Sequence, residues 1–175
     1  MGSVITVGDL VIRDIQWAWE KAAAEIPTLT VVQWIPGSML RWEHTGVAPD
    51  MICVMFDDCR WSQGLPPYTR FLLWLDLVTH STPSFGEMVK DGVAYLRSES
   101  YRKRFGTNAG GLWLVVTTGS VWRMHGLMRQ TRQAVGEGAG VFWFTTLDDI
   151  KGVNPLFDSI WCQAGEPGPK ALFAT

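Results

Sequence analysis

FLLWLDLV, residues 71–78, is an apolar run broken once, by Asp76. A run apolar at every position belongs to a strand buried on both faces, with helices above and below it. Three other stretches share this character: Met51–Phe56, Leu112–Thr117 and Val141–Thr145. Thr28–Ile35 is β-branched and is closed by the Pro36-Gly37 turn signal. DDCRWSQGLPPY, residues 57–68, is turn-rich and suits the closure of a hairpin.

The segments between these strands carry helical spacing. Val7–Ile26 has one apolar face and stops at Pro27. Ser84–Phe105 reads as one long helix, with Ser84 and Glu87 as a capping box and Gly106 as its terminator. Ser120–Val135 reads as another, ended by GEGAG. Leu147–Ile150 suits one helical turn. The remainder, 151–175, reads as an irregular tail with a short strand near Ile160-Trp161. Helix, three strands, helix, strand, helix, strand predicts an α/β fold with a mixed sheet flanked by helices. The late units should run parallel and the early ones as a hairpin.

At 175 residues the chain suits one domain, 1–175. A domain of that size buries roughly 70% of its unfolded surface. Charged residues are only 18% of the chain and tryptophans number ten. Less polar cover than usual, with indoles that seek partners, points towards self-association or a partner domain. The net charge of −2 gives no global attraction to nucleic acid, so DNA binding would need a local patch. Cys53, Cys59 and Cys162 lack the paired spacing of a structural zinc site and are expected to be reduced. No apolar run approaches the ~18 residues of a membrane span, and no secretory leader is evident, so a cytoplasmic protein is expected.

An αβββαβ order is the core of the restriction-endonuclease-like, PD-(D/E)XK folds, whose chemistry needs carboxylates on adjacent strands to hold Mg²⁺. Pro49-Asp50 stands just before one strand, and Asp76 lies within the next. An unpaired carboxylate in an apolar strand costs several kcal/mol, so Asp76 must be paired, liganded or placed at an exposed strand end.

VAPDMICVMF, FLLWLDLVT, YLRSESYRKRFG, LWLVVTTGS and VFWFTTLDDI occur in that order. Together they resemble the C-terminal domain of the bacterial plasmid replication-relaxation family, over roughly Val7 to Ile150. The resemblance implies a nuclease-like fold associated with plasmid DNA replication. The family's usual N-terminal winged helix is expected to be absent. It also implies a metal pair at Asp50 and Asp76, with Thr79 at a matching place. Trp74 stands where the family has Glu, Leu77 where it has Arg, and no lysine follows Asp76 at the needed spacing. The metal site is therefore degenerate: no cofactor is expected, or Mg²⁺ if the domain is catalytic.

Arg97, Arg102, Lys103 and Arg104 gather at the end of the long helix with Tyr101. Cations there are favoured by the helix dipole, and they also suit phosphate contacts, with Arg97, Tyr101 and Arg104 on one face. Arg123, Arg129 and Arg132 on the following helix would extend such a patch. Phe142, Trp143 and Phe144 suit the core on both sheet faces, and the histidines have no nucleophilic set to join. Three functions follow: a non-catalytic DNA-associated or interaction module, a metal-dependent nicking nuclease using Asp50 and Asp76, and a homo-oligomeric structural subunit.

Overall fold

Thr6 starts the first helix, because its hydroxyl accepts from the Asp9 amide while the Asp9 carboxylate accepts from the Thr6 backbone. This computed structural model describes residues 6–40, 48–78 and 85–173. The Ser84 cap, Thr79, His44 and His80 lie outside them.

Helix α1 (Val7–Ala24) leads to β1 (Leu29–Pro36), then β2 (Met51–Asp57), the short α2 (Asp58–Ser62) and β3 (Tyr68–Asp76). Next come α3 (Phe85–Arg97), α4 (Glu99–Phe105), β4 (Gly111–Thr117), α5 (Val121–Val135), β5 (Phe142–Thr146) and α6 (Leu147–Ile150). Two short strands, β6 (Trp161–Gln163) and β7 (Pro169–Lys170), end the order. The expected αβββαβ core is present. One mixed sheet takes all seven strands in sequential order. β1, β2 and β3 are antiparallel, β3, β4 and β5 parallel, and β5, β6 and β7 antiparallel.

Period-two alternation divides the apolar runs between two cores. Leu72, Trp74, Trp113, Val115, Phe142 and Phe144 face α3, α4 and α5. Phe71, Leu73, Leu75, Leu114 and Val116 face α1 and the segment after β5. Both crossovers between parallel strands therefore place their helices on one face, and α1 covers the other.

One expectation is corrected and another extended. The long helix is two helices, because Ser98 takes an extended backbone, donates to the Tyr95 carbonyl and caps the Tyr101 amide. Asn108 secures the break by donating to the Leu96 and Ser98 carbonyls, at 2.8 and 3.0 Å. In the tail the short strand expected near Ile160-Trp161 is β6, and β7 beyond it extends the sheet further, with the fully buried Trp161 as anchor. Its indole packs edge-on against Trp19 and donates to the Pro155 carbonyl at 2.8 Å. Among the described residues no helix is long and apolar enough to cross a membrane.

Candidate functional site

Asp76 ends β3 on the face that Leu72 and Trp74 share, so its carboxylate points towards the helices rather than along the sheet. Parallel register sets it beside Thr117, the last residue of β4, whose hydroxyl donates to Oδ2 at 2.7 Å. Immediately after β4 the chain turns through Gly119, whose amide donates to the Thr117 hydroxyl at 3.0 Å. Ser120 then caps α5 by accepting from the Arg123 amide. This turn delivers Arg123 to Asp76. Its Nε donates to Oδ2 and its Nη2 to Oδ1, the latter at 2.6 Å, which makes a bidentate fork. Asp76 is 9% exposed and the Arg123 side chain 34%. Burial is the largest single influence on Asp76 and acts to raise its pKa. The hydrogen bonds from Arg123 and Thr117, with the Arg123 charge, outweigh it and hold the carboxyl below its usual value. The Asp76 hydrogen bond raises Arg123 in turn.

Asp50 serves the sheet. Its amide donates to the Leu73 carbonyl and its Oδ2 accepts from the Leu75 amide, each close to hydrogen-bond optimum at 2.9 and 2.8 Å. β3 runs past the start of β2 here, and the carboxylate continues the ladder where β2 no longer supplies a carbonyl. Asp50 and Asp76 do line one cleft, of about 320 Å³, between the start of α1 and the ends of these strands. Asp9 lines it too, with its pKa lowered by backbone and then side-chain hydrogen bonds from Thr6.

This donor set does not fit a Mg²⁺ ion. Both Asp76 oxygens are engaged by a guanidinium that already supplies the positive charge, and one Asp50 oxygen is committed to the sheet. Trp74, where the resemblance would have a Glu, adds no carboxylate: it stacks on Phe85 at 5.2 Å and meets Trp113 edge-on. Among the described residues no group of three or more His, Cys, Asp or Glu is arranged to hold a metal. The three cysteines are free.

The basic residues divide into three groups. Arg97, Arg102, Lys103, Arg129 and Arg132 are exposed, with Lys103 paired to Glu99 at 3.1 Å. Arg104 is half-buried. Arg123 belongs to the Asp76 pair. The helix break removes the common face expected for Arg97, Tyr101 and Arg104. Tyr101 is fully buried, edge-on to Tyr95 at 5.5 Å and tilted against Phe105 at 4.7 Å, so its hydroxyl cannot reach a phosphate. That placement corrects its assignment to a DNA-contacting patch.

Neither Thr117 nor Trp122 stands out in the sequence as a site residue. The Val-Thr-Thr ending of β4 was visible, but the hydroxyl matters only once β3 lies parallel beside it. Trp122, 85% exposed at the start of α5, is the most exposed large apolar side chain among the described residues, and a helix start with no apolar partner was its signal. The FTTLDD ending, in contrast, is a helix start: Thr146 caps α6, and its hydroxyl donates to Asp149 at 2.7 Å. The chain matches no protein-family model, no curated protein and no solved structure.

Proposed function

We propose that this chain is a DNA-associated module built on a nuclease-like scaffold, one that binds DNA without cutting it. The resemblance to the replication-relaxation family suggests plasmid or mobile-element replication, in the cytoplasm, as its setting. The observation that carries the reading is the bidentate hold of Arg123 on Asp76, with Thr117 on the same carboxylate. A guanidinium in the place of a metal keeps the carboxylate charged and the strand ends joined, yet activates no water. The exposed Arg97, Arg102, Arg129 and Arg132 offer phosphate contacts that a net charge of −2 conceals.

Incubation with supercoiled plasmid in Mn²⁺, beside EDTA and Asp50→Ala controls, tests the absence of cutting. Intact plasmid is expected. Association with labelled DNA should weaken steeply with salt and persist in EDTA. Nicking that disappears in both controls would overturn this reading in favour of a metal-dependent nuclease using Asp50 and Asp76. Trp17 and Trp61, 66% and 63% exposed, favour a second reading as a self-associating subunit. Light scattering at tens of micromolar should then give a mass above that of one chain.

A further inference from the structure

Among the described residues, α5 is the one long helix without a carboxylate: VWRMHGLMRQTRQAV contains three arginines and no Asp or Glu. Met124, Leu127 and Thr131 are buried against the sheet and α3. At 3.6 residues per turn the opposite side carries Trp122, His125, Arg129 and Arg132, and all four are exposed. Trp122, at 85% exposure, has its indole plane open to solvent at the head of this stripe. Arg123 lies off the stripe, held against Asp76.

An exposed tryptophan followed by cations on one face matches a strand of nucleic acid in two respects. Phosphates complement the arginines, and a base offers a flat apolar surface to the indole. In duplex DNA the base faces are already stacked on one another, so the indole finds a base only where the strand is single. We propose that the outer stripe of α5 binds single-stranded DNA, with a base stacked on Trp122 and the phosphates on Arg129 and Arg132. This inference rests on the DNA-associated reading above and names the form of DNA recognised.

Fluorescence anisotropy with labelled dT20 and a 20-bp duplex tests it on wild type, Trp122→Ala, Trp122→Phe and Arg129→Ala/Arg132→Ala. The side chains are exposed, and circular dichroism of each variant checks that the fold is kept. dT20 should bind more tightly than duplex. Trp122→Ala should weaken dT20 binding between about fivefold and 150-fold. Duplex binding should be unaffected and Trp122→Phe should restore most of the loss. The double arginine variant should weaken both DNAs, and the salt slope for dT20 should fall by about 0.7 for each phosphate that is no longer neutralised. If dT20 binds but Trp122→Ala leaves its affinity unchanged, the single-strand proposal is overturned while the DNA-associated reading stands. A simultaneous fall in mass of that variant would reassign the face to a second copy of the chain. Failure of wild type to bind either DNA would overturn both.

Discussion

A carboxylate at the end of an apolar strand must find a cation, or its desolvation favours the protonated form. Arg123 supplies that cation to Asp76, and the pair holds α5 to the end of β3. Asp76→Asn should therefore lower stability in urea unfolding by about 1–3 kcal/mol, discounted from a fully buried pair because Arg123 is one-third exposed. The sign with pH follows from the lowered folded pKa. The contribution is present above the unfolded value near 3.9 and fades as pH falls through the lower folded value, so the gap between wild type and Asp76→Asn should close below about pH 4. Tyr101 gives the opposite expectation. Burial pushes its hydroxyl up to about 12, against a lowering by Arg70, and the oxygen has no hydrogen-bond partner among the described residues. Tyr101→Phe should be neutral or stabilise by up to about 1 kcal/mol, and a clear loss in thermal unfolding would show the hydroxyl to be bonded. The anomaly of Asp76 was legible in sequence as a lone charge among Phe71–Val78. Its partner was not, because Arg123 reaches it only when α5 returns across the same face of the sheet.

Between elements, close approach does much of the positioning. The Pro36-Gly37 turn lies directly against the Pro49-Asp50 segment: the Gly37 amide donates to the Asp50 carbonyl at 2.9 Å, and a methyl on Gly37 would meet the Pro49 carbonyl oxygen at 2.0 Å. Gly37→Ala must therefore displace the backbone that aims Asp50. A loss above about 2 kcal/mol is expected in thermal unfolding, together with a changed amide resonance at Leu75, the Asp50 partner. Strand positions were legible because uninterrupted apolar runs bounded by Gly and Pro have few other readings. The break at Ser98 was not, since helical spacing continues across it and the interruption depends on Asn108 arriving from the next loop. β6 and β7, of three and two residues, are too short to carry a period.

At the scale of the whole molecule, charge is uneven where its sum is unremarkable. A net of −2 coexists with an α5 that carries three arginines and no carboxylate, so the sum conceals a locally positive helix. The candidate site was legible as a list of positions and illegible as an arrangement. Asp50 and Asp76 share a cleft, but the groups that engage them come from a backbone amide, a hydroxyl and a distant helix. Trp161→Ala tests how far the last strands belong to the molecule. Removal of this fully buried indole should cost about 3–5 kcal/mol and loosen α1 through Trp19, visible as faster amide exchange in that helix.

The Trp19–Trp161 contact also sets a timetable for biosynthesis. The apolar side of α1 leaves the ribosome well before Trp161, one of the rings that covers it. Strand residues such as Leu29, Met51 and Phe71 join that core earlier, but until Trp161 is made the part it covers must stay open or be screened by a chaperone. A slow codon between α1 and Trp161 would then lengthen exposure to aggregation, whereas one ahead of α1 would not.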